Sequence, residues 1–445
     1  MKVIVIGCTH AGTAAVRNMK QQNPELEVTV YEKNDNISFL SCGIALYVCG
    51  IVQDKNGLFY CSPQELMDLG VKTHMEHEVL NIDYTNKTVE VLNLRTNEKI
   101  TDSFDKLVLA TGSWPIIPTI EGIRSENVLL SKNFNHANEI IERASHVKSV
   151  VVVGAGYIGV ELAEAFEMQG KKVVLIDGAD RIMPKYLDPE FTAYAEKAFT
   201  DHGITLALDQ KVQGFTVKDG LVTQIKTDKE TFDTELVIMC IGFRPNNKLY
   251  NNVLKTTPNG ALIVNEYMQT SNPDVYACGD CANIYYNPTE EYRYIPLATN
   301  AVRMGTIVGR NIVKPTVKYI GTQGTSGIKI YDWNISSTGL TEVVAKELGI
   351  NYGTVTVKDH NRPEFMPTYD DAVLKIVFDK DSRKILGGQI LSQIDLTEKM
   401  NTLSVCIQNK MTVEQLAFVD FFFQPHFNKP WSLLNLAGLS ALDIR

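Results

Sequence analysis

Cys42, in the run Ile37-Ser-Phe-Leu-Ser-Cys-Gly-Ile-Ala-Leu-Tyr47, has more chemistry to offer than any other side chain in the sequence, and no obvious partner. The next cysteine, Cys49, follows seven residues on and has no standard geometry for pairing with it. A lone thiol cannot store two electrons as an internal disulfide. It can store them by cycling between thiolate and sulfenic acid, which points to peroxide or oxygen as the electron acceptor. A helix starting near Cys42 would favour the thiolate. His10 can move protons near neutral pH, although a lone histidine is more often structural. Cys278-Gly-Asp-Cys281 is formally C-x-x-C, but no second pair stands at zinc spacing, so no metal is expected. The scatter of eight cysteines suits buried free thiols in a reducing cytoplasm.

Two nucleotide-binding patterns must position these side chains. Lys2–Ile6 reads as a strand, Gly7-Cys-Thr-His-Ala-Gly12 as a turn, Thr13–Gln22 as a helix and Val28–Tyr31 as a second strand ending at Glu32. This is a βαβ opening in which Thr9 replaces the middle glycine of G-x-G-x-x-G. The pattern repeats in full at Val150–Val153, Gly154-Ala-Gly156-Tyr-Ile-Gly159, a helix over Val160–Gln169 and a strand over Lys172–Ile176. Pyrophosphate needs bare backbone N–H groups at a helix N-terminus, and the acidic residue closing the second strand, Glu32 or Asp177, accepts from ribose hydroxyls. A carboxylate at 177 favours NADH over NADPH, while Arg181 could partly rescue NADPH. Three more strand ends flank these units: Lys106-Leu-Val-Leu-Ala-Thr-Gly112, Leu236–Gly242 and Val275-Tyr-Ala-Cys-Gly-Asp280.

In this order the motifs resemble the NADH oxidase and NADH peroxidase group of the pyridine nucleotide–disulfide oxidoreductases. The resemblance runs from Gly7–Gly12 and Ser38-Phe-Leu-Ser-Cys42 through Arg181-Ile-Met-Pro-Lys-Tyr-Leu-Asp188 and Pro296-Leu-Ala-Thr-Asn-Ala301 to Asp420-Phe-Phe-Phe-Gln-Pro425. Related enzymes carry Cys-x4-Cys, and here Tyr47 stands where the second cysteine would fall. The implied fold is α/β, with an FAD domain (1–118 and 247–320), an inserted NADH domain (119–246) and a C-terminal α+β dimerisation domain (321–445). Within the last, Lys329–Tyr331, Val373–Phe378 and Gly388–Leu391 read as strands, and Thr341–Leu348 and Thr397–Asn409 as helices. Phe421–Phe423 and Trp431 form an apolar cluster that one chain would find hard to hide, so a homodimer is expected.

The resemblance also implies site residues. FAD would be held by Gly7, Thr9, His10, Ala11, Gly12, Glu32 and Cys42 in the first unit, and by Val79, Ala110, Thr111, Gly112, Ser113 and Lys132 beyond it. Asp280, Leu297, Ala298 and Thr299 would complete that site. NADH would meet Gly154, Gly156, Tyr157, Ile158, Gly159 and Glu161, then Asp177, Tyr186, Gly242 and Gly327. Cys42 and His10 are the catalytic candidates. The activity implied is reduction of O2 to water by two NADH, through a flavin peroxide whose distal oxygen the Cys42 thiolate takes, leaving sulfenic acid.

Three other functions stay open at this stage. NADH peroxidase shares His10, Cys42 and the Phe-Phe-Phe-Gln-Pro tail, but Cys8-Thr-His-Ala-Gly-Thr13 and the placing of Arg303 match oxidases better. Coenzyme A disulfide reductase typically has Asn where Ser41 stands and a Tyr-bearing tail. A non-catalytic NADH-binding redox sensor would not need Cys42 with His10. Composition narrows the partners: 43 basic against 52 acidic residues give a net charge of −9, which disfavours nucleic acid and anionic membranes. No stretch approaches the ~18 apolar residues of a membrane span.

Overall fold

The strand Lys2–Ile6 is apolar on both faces and buries four of its five side chains, as a central strand of a parallel sheet must. In the computed structural model, which describes residues 1–443, it lies at the centre of a five-stranded parallel sheet. The order is Val275–Ala277, Lys106–Leu109, Lys2–Ile6, Glu27–Glu32, Lys72–Met75. Ile6 pairs with Tyr31 on one side and Leu109 on the other. The loops after all three strands therefore open at one edge, where ligands of such sheets bind. The second unit repeats the plan around Ser149–Val153, in the order Thr205–Ala207, Lys172–Ile176, Ser149–Val153, Leu236–Met239, Val128–Leu130. Each parallel sheet is accompanied by a three-stranded antiparallel one, His77–Asp83 with Thr88–Asn93 and Lys99–Ser103, and Val212–Lys218 with Leu221–Thr227 and Thr231–Asp233. A short ladder between Ser113–Pro115 and Phe243–Pro245 joins the chain where it leaves and re-enters the first unit.

The helices after both glycine turns begin earlier than apolar periodicity suggests. They span His10–Gln22 and Tyr157–Met168, so His10 and Tyr157 stand on first helical turns rather than in loops. Near Cys42 a 3-10 turn, Ser41–Gly43, runs into a helix of only five residues, Ile44–Val48. The helix Ala298–Asn311 lies along His10–Gln22 in a parallel sense. Gly305 faces Ala11 and Gly309 faces Ala15, with no room for a Cβ at either glycine.

The C-terminal unit is a five-stranded antiparallel sheet ordered Ser326–Ile330, Trp333–Gly339, Ile385–Ser392, Asp371–Asp379, Tyr352–His360. The strands Trp333–Gly339 and Tyr352–His360 were not legible; the first is too polar to read as a strand, although Ile335, Ser336, Ser337 and Thr338 are all buried. Tyr331 falls outside the strand expected to contain it, in a turn with φ +48°. The helices Lys399–Gln408, Val413–Ala417 and Leu433–Ala441 cover the sheet through one apolar cluster.

This unit is tied to the second dinucleotide fold at Asp188, just before the helix Pro189–Asp201. The fully buried carboxylate accepts from the backbone N–H of Glu342 (3.0 Å) and Val343 (3.2 Å) and from Gln389 Nε2 (2.7 Å). Lys375, itself 2% exposed, sets its ammonium against Asp188, Glu190 and Glu342. Those three acids stand close enough to ligate a metal, but the Lys375 ammonium already sits among them. Among the described residues, no helix is long and apolar enough to cross a membrane.

Candidate active site

The first glycine turn explains why Thr9 is tolerated. Gly7 has φ +89°, and a Cβ there would run into the Ala110 carbonyl; a Cβ on Gly12 would strike the Gly7 carbonyl. Thr9 has φ −83°, outside the left-handed region that favours glycine. The second turn obeys the same rule: Gly154 and Gly159 are crowded, while nothing stands within 4 Å of a Cβ on Gly156. In both turns the protein's own packing demands the first and third glycines, so the middle one is required only by close approach of a ligand.

The acidic residues clamp these turns from below. Glu32 Oε2 accepts from the Cys8 N–H (2.7 Å), and Oε1 accepts from the backbone and side chain of Asn34. Burial pushes the Glu32 carboxyl upward, and those N–H donors oppose the shift. Asp177 does the same work in the second turn, accepting from the Ala155 N–H (2.6 Å) and the Ala179 N–H (2.8 Å). Arg181 turns its guanidinium back onto Asp180 and the Pro184 carbonyl. It is therefore spent on its own loop, which weakens the idea that it receives a 2′-phosphate.

Cys42, His10, Lys132, Asp280 and Glu161 come together between the two sheets. Asp280 and Lys132 act electrostatically on both His10 and Cys42, and Glu161 acts on Cys42. Asp280 accepts from Ser113 Oγ (2.8 Å) and from Lys132 Nζ (3.3 Å), whose ammonium also lies over the Phe243 ring at 4.5 Å. Thr111 and Asn246 exchange hydrogen bonds beside this group. Gly279, at φ +78°, lets the strand bearing Asp280 approach Ala11. Leu297 caps the helix on which Ala298 and Thr299 begin, and Val79 is buried on the strand His77–Asp83.

Charge at Cys42 runs against the sequence expectation. Burial is the largest influence on the thiol, the Glu161 carboxylate adds to it, and together they raise its pKa above the ordinary value. The helix behind it is barely more than one turn long, and the opposing backbone hydrogen bond and Lys132 do not compensate. Burial also pulls the His10 imidazole down, leaving it neutral. Burial beside Glu164 pushes Glu161 up to about 7.

On the other wall, Tyr157 is held by a 2.8 Å bond from its hydroxyl to Ser326 Oγ and by an edge contact with Tyr186 at 4.5 Å between ring centroids. Gly327, next to Ser326, is exposed on the same strand. Gly242 sits at φ +112°, and Ile158 follows Tyr157 on the first turn of the helix. Sequence reasoning missed Tyr60, Tyr294 and Ser326. Each reaches the site through tertiary contacts and carries no motif. Arg303 is exposed and lies beside Tyr319, apart from the central group.

This pairing of two dinucleotide folds with a C-terminal sheet domain is a family architecture. Residues 1–305 match the pyridine nucleotide-disulphide oxidoreductase family, and residues 325–433 match its dimerisation domain. The chain belongs to that family. It is 54% identical over 444 residues to an NADH oxidase of Enterococcus faecalis, with all of each chain covered. Among solved structures, it resembles the water-forming NADH oxidase from Lactobacillus brevis bound to NADH. That match has a TM-score of 0.98 and 52% identity, and covers 100% of this chain and 98% of the other. A five-substitution mutant of that enzyme, an engineered water-forming NADPH oxidase bound to NADPH, matches with a TM-score of 0.98 and 51% identity, at the same coverage. One of its substitutions replaces an aspartate with alanine.

Proposed function

We propose that this protein is an FAD-dependent NADH oxidase that reduces O2 to water with two NADH. The observation that carries this reading is the single thiol, Cys42, set with a neutral His10 between two complete dinucleotide folds in a chain so similar to water-forming oxidases. FAD fits the first fold: its glycine turn leaves a bare helix N-terminus, and His10 Nε2 and Tyr294 Oη are buried without a protein partner. FAD supplies the hydride acceptor and the oxygen chemistry when bound.

The chain's own residues do the rest. Gly7 and Gly12 would admit the pyrophosphate, Glu32 would accept from the ribose, and Asp280, Ser113 and Lys132 would hold the ribityl hydroxyls and the ring. Tyr157 and Glu161 would cover and orient the nicotinamide, and Asp177 would accept from the 2′-hydroxyl of the adenosine ribose. Cys42 takes the distal oxygen of oxygen reduced to the peroxide level: an S–O bond forms as the O–O bond breaks, leaving Cys42 sulfenic acid and one water. The second NADH returns Cys42 to the thiol and releases the second water. The sum is 2 NADH + 2 H⁺ + O2 giving 2 NAD⁺ + 2 H2O. We divide the chain into an FAD domain (1–118, 247–320), an NADH domain (119–246) and a dimerisation domain from 321, and we take the assembly to be a homodimer.

The test is simultaneous measurement of NADH loss, oxygen consumption and hydrogen peroxide in air. Two NADH per O2 with no peroxide supports the reading. One NADH per O2 with stoichiometric peroxide refutes water formation, and NADH loss only after peroxide is added makes the protein a peroxidase.

A further inference from the structure

We propose that Tyr60 is a positioning residue that sets the tautomer of His10, so that the imidazole presents Nε2–H to the oxygen being cleaved at Cys42. The functional half of this proposal rests on the oxidase reading. The hydroxyl of Tyr60 lies 3.1 Å from His10 Nδ1, and the two rings are parallel to within 3°. The Thr9 carbonyl is 3.5 Å from that hydroxyl and already takes the Thr13 N–H, and the Thr13 hydroxyl, which also bears on the phenol, gives its own proton to the Cys8 carbonyl (2.9 Å). An O–H···O bond of 3.5 Å is weak, since such bonds usually span about 2.5–3.0 Å. At 3.1 Å against 3.5 Å, Nδ1 is better placed than the carbonyl to take the phenolic proton.

A neutral imidazole has one donor and one acceptor nitrogen. With Nδ1 accepting, Nε2 must carry the hydrogen. That atom is buried and has no protein partner. The charged groups acting on the ring, Asp280 and Lys132, also act on Cys42, so ring and sulfur lie within reach of the same two charges. Burial keeps Tyr60 protonated, its pKa pushed up to about 12, with the Cys8 and Cys61 thiols and Arg17 nearby. Nε2–H can then stabilise the oxygen that leaves as the O–O bond breaks and the S–O bond forms at Cys42, where negative charge gathers.

The backbone fixes Tyr60 together with the sulfur. Ser38, buried at φ +59°, accepts from the N–H of Tyr60 (3.2 Å) and of Cys61 (2.9 Å), and its hydroxyl donates to the Cys61 carbonyl (2.7 Å). Its own N–H donates to the Cys8 carbonyl in the glycine turn (3.1 Å). Phe39 and Phe59 form a β-bridge beside it. One short segment thus ties Cys42, Tyr60 and the turn carrying His10 to each other.

The experiment is ¹⁵N-histidine NMR on the FAD-loaded protein and its Tyr60→Phe variant, with the His10 signals assigned from His10→Gln. The wild type should show His10 with Nδ1 bare and Nε2 protonated, and Tyr60→Phe should show both tautomers in exchange. In parallel, Tyr60→Phe should reduce its flavin with NADH at the wild-type rate without air. In air it should leak hydrogen peroxide, with the ratio of NADH to O2 falling below two. A wild-type His10 protonated on Nδ1 overturns the proposal, as does a variant with an unchanged tautomer or an unchanged ratio. If the wild type itself does not consume two NADH per O2, the oxidase reading fails, and the tautomer result is judged separately.

Discussion

Cys42 divides the work between cofactor and protein. Electrons can reach oxygen from reduced flavin without any thiol, but cleaving the product inside the cleft needs a nucleophile. Serine is nearly isosteric but far less nucleophilic, and it has no accessible sulfenate-like state. Cys42→Ser should bind FAD and oxidise NADH in air, yet release hydrogen peroxide, with NADH per O2 falling from two toward one; an oxygen electrode with a peroxide assay reads this directly. The neighbouring Glu161 has a pH signature. Burial raises its carboxyl from an ordinary 4.5 to about 7, so folding favours the protonated form. That contribution is complete below pH 4.5 and is lost as pH rises through 7, a swing on the order of 3 kcal/mol. Glu161→Gln removes it. Thermal melts of the apoprotein should show the variant gaining on the wild type between pH 5 and pH 8, and parallel pH profiles would refute the assignment.

At the scale of elements, the turn after each first strand is held by the carboxylate closing the second strand. Asp177 illustrates the double duty. It binds the Ala155 and Ala179 N–H groups at 2.6 and 2.8 Å, and in the proposed complex it also meets the ribose. Asp177→Ala should therefore narrow the preference for NADH over NADPH by about 10-fold or more, and cost about 2 kcal/mol of stability through the lost charge-assisted bonds. Steady-state kcat/KM with both nucleotides, together with a denaturant melt, checks the two halves. An unchanged nucleotide preference would show that the carboxylate serves the turn alone.

At the scale of the whole molecule, two features hold the units in relation. Asp188 is fully buried, so Asp188→Ala leaves Gln389 Nε2 and the backbone N–H groups of Glu342 and Val343 without their acceptor, while Glu190 and Glu342 still hold the Lys375 ammonium. A loss of about 3 kcal/mol is expected, read as a fall in melting temperature. The second feature faces outward. Phe421 packs into the C-terminal core, but Phe422 and Phe423 are 67% and 47% exposed, with Phe418, Phe427 and Trp431 also uncovered. A second copy of the chain would cover this surface. Replacing Phe422 and Phe423 with Asp should dissociate the assembly in sedimentation while leaving the folded core of each chain intact, whereas a wild type that is monomeric and fully active would exclude the proposed dimer.

Local patterns in the sequence were enough to determine the two βαβ units, their glycine turns, Glu32 and Asp177 at the strand ends, and the lone thiol. Each of these depends on short-range spacing and on strands apolar along their whole length. The polar strand Trp333–Gly339 and the early starts of the helices at His10 and Tyr157 were not legible, because tertiary packing and backbone turns decide them rather than apolar periodicity. Only the tertiary structure brought Tyr60 to His10, Ser326 to Tyr157 and Lys375 to Asp188, across 50, 169 and 187 positions of chain. It also set the Glu161 charge against the helix start at Cys42. Spacing can place a thiol beside a helix start, but its ionisation depends on the surrounding desolvation and on the Glu161 charge, which the folded chain brings from another domain.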